Sequence, residues 1–198
     1  PVLDYEFAAT PQEMHDAVER IGYPCVVKAP TSKDGEGFSF VHSDADLADA
    51  WRAADRGLGQ GAVVERFIDF DFEVTILAAR SIDPSTGELA TWFCEPIGTR
   101  HREGRLVESW QPAPLPEAAM DNARSIAARI TGALASCGIF SVEMFVSGDD
   151  VYFSQVTPRP SRDGLVTFVT QRINQFDLQA HATQRLPIDS TLISPGAV

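Results

Sequence analysis

Two short segments in the C-terminal half of the chain carry side chains suited to holding a metal ion. Residues 139–146 and 151–160 are rich in β-branched and aromatic residues, and a Gly-Asp turn separates them, which predicts an antiparallel hairpin. At a period of two, the even-numbered apolar residues of the first segment share one face and Glu143 lies on the other. If the connection is odd in length or bulged, Glu143 and Gln155 face each other.

A carboxylate and an amide at one spot indicate a particular chemistry. Hard cations such as Mg²⁺ prefer oxygen ligands that converge from neighbouring elements. Glu143 would supply a full negative charge, whereas Gln155 would supply only an amide dipole. The pair therefore supports a nucleotide-metal site and also argues against one, because only one of its two ligands is a carboxylate.

A polar, glycine-rich loop at residues 31–37 follows a short buried strand that ends at Lys28. Backbone N–H groups of such loops can approach phosphate oxygens, and a lysine adds a point charge there. An ordinary hairpin turn beside an exposed lysine explains the same residues, since the loop is not a Walker A motif. Taken alone, the loop favours the ordinary turn.

Other polar residues allow two interpretations each. Backbone amides near Ile68 could pair with a purine edge and Glu73 could accept from ribose hydroxyls, but edge charges beside a sheet fit equally well. Arg159 stands between two prolines, on a stiff backbone that suits an anion clamp or a plain loop. The basic stretch 98–105 could bind an anion, although a solvated charge run is the simpler interpretation.

The elements that position these groups are predicted from capping and periodicity. Thr10 to Glu13 forms a capping box with Pro11 at the first helical position, and the helix should end at Gly22. Helices are also predicted from Ser43, at about 117–136 and at 174–186, and strands at 24–28, 38–41, 62–67, 72–78 and 89–95. This order predicts an α+β protein with antiparallel sheets.

Length, charge and composition limit the classes of protein to which the chain can belong. The 198 residues suffice for one sizeable domain or two small ones, and the first residue is not Met, which suggests a piece of a longer protein. A net charge of −12 argues against a nucleic-acid or anionic-membrane surface. No apolar run reaches the ~18 residues of a membrane span, and no signal peptide is evident. Three cysteines without CxxC spacing indicate a reducing, cytoplasmic compartment.

Several segments occur together in an informative order. They are Ile21–Lys28, Phe70–Thr75, Glu108–Pro112, Phe140–Val146, Pro158–Pro160 and Gly164–Thr167. Taken together the chain resembles an ATP-grasp domain, and more closely the central domain of formate-dependent glycinamide ribonucleotide (GAR) transformylase, a formyltransferase of purine biosynthesis. The resemblance covers nearly the whole chain.

The resemblance implies a role for each matching residue. It places Lys28 at the α- and β-phosphates and residues 32–37 over the phosphates. The implied ATP ligands are Lys28, Lys33, Gly35, Gly37, Glu65, Ile68 and Glu73, with Glu65 and Ile68 at adenine and Glu73 at ribose. The implied Mg²⁺ ligands are Glu143 and Gln155. The resemblance also implies that Arg159 is a catalytic residue and that Arg162 and Asp163 bind the substrate. In this family formate is phosphorylated by ATP to formyl phosphate, which the GAR amine then attacks.

The resemblance also implies a domain plan. Two α+β subdomains with antiparallel sheets grip the nucleotide: a small lid-like one at about 20–70 with the phosphate loop, and a larger one at about 71–198 that holds metal and substrate. The family's N-terminal and C-terminal domains are not in this chain, so the isolated chain is expected not to turn over GAR. A homodimer of the full-length protein is also implied.

The departures from the family pattern concentrate at the implied site. Gln155 stands where the family has a second metal carboxylate, and Glu36 where it usually has a basic residue. Arg162 stands at the family's acidic position near the GAR amine, and the adjacent Asp163 could replace that acid or serve as a metal ligand. Two alternatives follow: a degenerate relative that binds a nucleotide or a partner without catalysis, or a ligase with a different acceptor.

Overall fold

The structure is a computed structural model that describes residues 2–31, 37–102, 105–134 and 137–198. The chain divides into two compact units, Val2–Asp69 with Arg102–Arg105 and Phe70–His101 with Leu106–Val198. The predicted phosphate-loop residues Lys33, Gly35 and Glu36 lie outside the described residues.

The smaller unit packs two helices on a four-stranded antiparallel sheet of order β1-β4-β2-β3. Its elements are β1 (Tyr5–Ala8), α1 (Pro11–Ile21), β2 (Cys25–Lys28), β3 (Phe38–Val41), α2 (Leu47–Asp55) and β4 (Ala62–Arg66). The Thr10 hydroxyl accepts from the Glu13 N–H at 3.2 Å, as the capping box predicts. This unit starts well before residue 20 because β1 pairs with β4 and so joins the sheet.

The larger unit is built on a second sheet, in which the described residues form seven strands in the order β10-β9-β5-β7-β8-β11, with β6 paired to β5. The strands are β5 (Phe72–Ile82), β6 (Leu89–Phe93), β7 (Ile97–Arg102), β8 (Arg105–Gln111), β9 (Gly138–Ser147), β10 (Asp150–Thr157) and β11 (Gly196–Ala197). Its helices are α3 (Glu117–Leu134), α4 (Thr167–Thr170) and α5 (Gln175–Gln184).

The two faces of this second sheet are packed differently. Even-numbered residues of β5 and β9, such as Ile76 and Val142, form the main core with α3. On the opposite face, Leu77 and Ile139 pack against Leu178 of α5, but only along one part of the strands. The remaining part of that face carries polar side chains.

The α+β class with antiparallel sheets is confirmed, but the prediction of a loop at residues 98–105 is wrong. β7 and β8 occupy most of that stretch, and along β7 Thr99 is buried, Arg100 exposed and His101 half-buried. Gly98 is required there because a Cβ atom would lie 2.2 Å from Cε2 of Trp110. Within the described residues, no helix has the length and hydropathy to cross a membrane.

Candidate functional site

The polar part of the second sheet's α5-side face brings together residues from three strands. In the strand register, Thr75 of β5 is the partner of Glu143 of β9, and Glu143 is the partner of Gln155 of β10. Glu73 lies two positions before Thr75 and therefore shares its face. Glu73, Thr75, Glu143 and Gln155 thus form one polar surface, called the acidic face below.

A β-bulge in β10 places Gln155 on this face. The register between β9 and β10 shifts between Phe153 and Gln155, so that Phe153 pairs with Met144 while Gln155 pairs with Glu143. Phe153 packs against the α3 core, and Gln155 lies on the opposite face. The prediction that a bulge would set Glu143 and Gln155 across from each other is confirmed.

Glu143 is the central carboxylate of the acidic face. Its Oε2 accepts a hydrogen bond from Nε2 of Gln155 at 2.6 Å. The pKa of Glu143 is raised to about 7, chiefly by burial and next by the charge of Asp163, while the Gln155 hydrogen bond and the charge of His101 act in the opposite direction. The amide therefore offsets part of the cost of burying this carboxylate.

Asp163 approaches the acidic face from a separate segment. It begins the 3₁₀ turn Asp163–Val166 and is only 6% exposed. The Thr75 hydroxyl donates to its Oδ2 at 2.8 Å, although the two residues are 88 positions apart. Asp163 therefore lies beside the strand partner of Glu143. Thr75 was not singled out in the sequence, although its place two residues after Glu73 on a strand was a usable signal.

His101 also contacts the acidic face, which the sequence did not predict. Its Nδ1 lies 2.9 Å from Oε2 of Glu73, and its backbone N–H donates to the same oxygen at 3.3 Å. The hydrogen bond to Glu73 raises the pKa of His101, burial opposes this, and the charges of Glu73, Asp163 and Glu143 add to it. The alternation along β7 could have revealed this position, had 98–105 been recognised as strand.

The loop that carries Arg159, Arg162 and Asp163 is held by Gln175 at the start of α5. The Ser161 N–H donates to Oε1 of Gln175 at 3.0 Å, and Nε2 of Gln175 donates to the Ser161 carbonyl at 2.8 Å. Gln175 is fully buried, and both ends of its amide bind this one residue. Arg159 donates from Nη1 to the Pro160 carbonyl at 2.9 Å.

In the smaller unit, two predicted ATP ligands contact each other. Lys28 Nζ lies 2.5 Å from Oε2 of Glu65, and both side chains are partly buried. Ile68 follows β4 and is half-buried. Gly37 has a φ of +73°, and a Cβ atom there would lie 2.7 Å from the Cβ of Ala29. The glycine is therefore needed for this turn whether or not a phosphate binds.

The raised pKa of Glu143 predicts that the metal-free protein is less stable at pH 8 than at pH 5.5. The folded-state pKa of Glu143, about 7, exceeds the ordinary value of 4.5. The stability that Glu143 contributes is therefore fully present below pH ~4.5 and is lost as pH rises through 7. The raised pKa of His101 has the same sign, since its contribution is present below pH ~6.5 and disappears above its folded pKa.

We expect Glu143 to account for on the order of 1–3 kcal/mol of this loss in the free energy of unfolding. Urea unfolding in chelator at pH 5.5 and pH 8 measures it, with Glu143→Gln as the control that cannot titrate. A pH dependence of the same size in both proteins would contradict the prediction.

Known proteins resemble this chain over most or all of its length. A family model described as the ATP-grasp domain matches residues 1–176. Proteins named formate-dependent phosphoribosylglycinamide formyltransferase match all of this chain, at 56% identity in Corynebacterium jeikeium and 54% in Corynebacterium efficiens. The match covers 49% and 50% of those two proteins, so the chain spans about half the length of these curated relatives.

Solved structures with the same fold also match all of this chain. The structure described as glycinamide-RNase-transformylase T from Mycobacterium tuberculosis is 36% identical with a TM-score of 0.81, and the match covers 52% of it. An ADP complex of N5-carboxyaminoimidazole ribonucleotide synthetase is 27% identical with a TM-score of 0.88, over 51% of its length. The Thermus thermophilus form of that synthetase is 28% identical, with a TM-score of 0.84 and 52% coverage.

Proposed function

Because the chain belongs to the ATP-grasp family, we propose that it binds Mg²⁺-ATP and serves, within a longer protein, as the ATP-dependent part of a GAR formyltransferase of purine biosynthesis. The names of relatives at 54–56% identity support this assignment. The rest of such a protein would complete the substrate site. Formate and GAR are the proposed small-molecule substrates.

The acidic face is the observation that carries the proposal. It offers oxygen donors from Glu143 and Gln155 on adjacent strands, which fits the preference of Mg²⁺ for hard oxygen ligands. When bound, Mg²⁺ would neutralise phosphate charge and fix the geometry of the triphosphate. Glu143 and Gln155 are the residues that we propose to hold it.

The remaining ATP ligands are proposed from the family resemblance. We assign Lys28 and Gly37, with Lys33 and Gly35, to the phosphates, Glu65 and Ile68 to adenine, and Glu73 to ribose. A lysine has three N–H donors, so Lys28 can keep its contact with Glu65 and still donate to a phosphate oxygen. Glu73 has one oxygen engaged by His101, which leaves the other for a ribose hydroxyl.

The proposed chemistry has two balanced steps. A formate oxygen attacks the γ-phosphorus of ATP, and ADP leaves with the electrons of the broken P–O bond. The amine of GAR then attacks the formyl carbon, inorganic phosphate leaves, and the amine nitrogen loses a proton. Catalysis of this kind rests on positioning and charge neutralisation. We propose that Arg159 stabilises the transferred phosphoryl group and that Arg162 contacts the substrate.

Titration calorimetry of ATP into the chain, with and without Mg²⁺, tests the binding half of the proposal. We expect binding that depends on Mg²⁺. For the full-length protein we expect ADP release that needs both formate and GAR. Absence of release from folded, Mg²⁺-ATP-binding full-length protein would contradict the formyltransferase assignment.

Replacing Lys28 by Met is expected to weaken Mg²⁺-ATP binding about 10- to 100-fold, because a partly buried cation near phosphate contributes roughly 1.4–2.7 kcal/mol. Adenosine should lose less affinity than ATP, since it lacks phosphate and is affected only by the lost contact between Lys28 and Glu65. Arg52→Met, which removes an exposed cation of the same unit, is the matched control. An equal loss for adenosine and ATP would show that Lys28 does not act on the phosphates.

A non-catalytic nucleotide-binding or partner-binding module is the second candidate. The observation that favours it is the orientation of Gln155, which presents its NH₂ group to Glu143 where a metal carboxylate would be expected. This candidate predicts that ATP affinity is the same with Mg²⁺ and with chelator. A ligase with a different acceptor would instead show Mg²⁺ dependence and ADP release with another amine or carboxylate.

The assembly and location of the protein are also proposals. Cys25, Cys94 and Cys137 are free thiols, two of them buried, which supports a reducing, cytoplasmic environment. A homodimer of the full-length protein follows from the family resemblance. Light scattering coupled to gel filtration measures it directly.

A further inference from the structure

We propose that Asp163 supplies the second carboxylate of the magnesium site, a charge that the amide of Gln155 does not provide. This inference rests on the proposed function, because it concerns the metal that accompanies ATP. It assigns to Asp163 a contact with the metal rather than with the acceptor substrate.

The first argument is the position of Asp163 relative to Glu143. Thr75 and Glu143 are register partners on adjacent antiparallel strands, so their side chains leave the sheet on the same face, with Cβ atoms about 5 Å apart. The Thr75 hydroxyl donates to Oδ2 of Asp163 at 2.8 Å. One hydroxyl therefore holds the Asp163 carboxylate next to Glu143, within reach of a cation that Glu143 would bind.

The second argument is the orientation of Gln155. Its Nε2 donates to Glu143 at 2.6 Å, so only the uncharged amide oxygen of Gln155 is left to bind a metal. In this arrangement the amide presents partial positive charge to Glu143. A cation would take over that function, and Thr75 holds the carboxylate of Asp163 on the β5 side of Glu143, opposite Gln155 on β10.

The third argument is the cost of burying Asp163. The residue is 6% exposed, and burying an ionised carboxylate is expensive unless it is paired with a charge or a metal. Accepting one hydrogen bond from Thr75 needs no charge, since Asn would accept it as well. The acidic face already contains the carboxylates of Glu73 and Glu143, which carry the same charge as Asp163. A divalent cation would relieve this repulsion.

The fourth argument is the fixed backbone under Asp163. Gln175 binds both backbone groups of Ser161, and the Thr167 hydroxyl donates to the Gly164 carbonyl at 2.6 Å. A Cβ atom at position 164 would lie 2.2 Å from Oε1 of Gln175. The turn that begins at Asp163 is thus held at both ends, which suits a ligand positioned before the metal arrives.

Manganese binding tests the inference without relying on turnover. Mn²⁺ is titrated into the chain with and without ATP, and free Mn²⁺ is measured by electron paramagnetic resonance. We expect Asp163→Asn to weaken Mn²⁺ binding about 10- to 100-fold, although Asn keeps the acceptor for Thr75. Asp150→Asn, at the exposed start of β10, removes the same charge and should bind as the parent does.

The double variant Asp163→Asn, Gln155→Glu separates a ligand from a structural residue. It returns one carboxylate to the acidic face, so we expect it to recover most of the Mn²⁺ affinity. If Asp163→Asn loses Mn²⁺ affinity and the double variant does not recover it, the inference is overturned in favour of a structural role for Asp163. Unchanged binding by Asp163→Asn would also overturn it, while leaving the proposed function intact.

A different result would show that the proposed function itself is wrong. In that case the parent chain itself binds no Mn²⁺, with or without ATP. Thermal unfolding of each variant accompanies the titrations, so that a folded Asp163→Asn protein is compared with a folded parent.

Discussion

Glu143→Gln is expected to weaken Mg²⁺-dependent ATP binding about 100- to 1,000-fold, or roughly 2.7–4 kcal/mol. Glu143 lies on a central strand, between Thr75 on one side and Gln155 on the other. Its carboxylate is largely buried, and burial raises its pKa to about 7, so its attraction for a divalent ion is poorly screened. The substitution keeps the shape of the side chain and removes only the charge.

Calorimetric titration of ATP in Mg²⁺ and in chelator gives the metal-dependent part of the affinity. In chelator we expect the variant to bind ATP at least as tightly as the parent, because one negative charge beside the triphosphate is removed. Glu88→Gln, at an exposed position before β6, removes one charge from the same unit and should have no effect. Similar Mg²⁺ dependence in Glu143→Gln and the parent would show that the acidic face does not bind the metal.

Gln175→Leu is expected to lower the free energy of unfolding by about 2–4 kcal/mol. The Leu side chain fits the volume but leaves the N–H and C=O of Ser161 without the partners that the amide provides. Both groups are partly buried, and each unsatisfied group costs about 1–3 kcal/mol. The turn at Asp163 loses its anchor, so Mg²⁺-ATP binding should weaken as well.

Two comparisons make this prediction specific. Gln184→Leu, at the exposed end of α5, is the matched control and should leave urea unfolding unchanged. Gln175→Glu keeps an acceptor for the Ser161 N–H but buries a charge beside the Ser161 carbonyl, so its stability should recover towards that of the parent only at low pH, where the protonated carboxyl can donate to that carbonyl. Equal stability of Gln175→Leu and Gln184→Leu would contradict the prediction.

The hairpin of β9 and β10 could be predicted because local signals agree there. Strand propensity, the turn and the alternation of apolar residues all indicate one arrangement. Whether an odd-length connection or a bulge would bring Glu143 opposite Gln155 stayed open in the sequence, and the structure has the bulge. The capped helix α1 could be predicted for the same reason, since Thr10 and Pro11 act within one turn of it.

Strand β7 could not be predicted because its own residues argue against a strand. Arg100, His101 and Arg102 have the composition of a solvated loop, and the neighbouring strands of the sheet decide the outcome. His101 consequently joins the acidic face. The pairing of Lys28 with Glu65 was missed for a related reason, since the two residues are 37 positions apart and meet only through the β2–β4 register.

The role of Asp163 could be predicted only in part. The sequence left open whether it serves the substrate or the metal, because the path of the chain after Pro160 has no local determinant. That path is set by Gln175, and the contact it enables joins Asp163 to Thr75 across 88 positions. Contacts of this range depend on tertiary packing, which periodicity does not report.

The bulge in β10 makes one position of this strand tolerant of a change in chain length. Ser154 is the extra residue between Phe153 and Gln155. Its loss would join these two residues directly, and plain alternation would still direct Phe153 towards α3 and Gln155 towards Glu143. Loss of Tyr152 instead would shift the alternation of this strand by one residue. If Gln155 then stayed opposite Glu143, Phe153 would point away from the α3 core. An in-frame loss of the Ser154 codon is therefore the length change in this strand that leaves both faces intact.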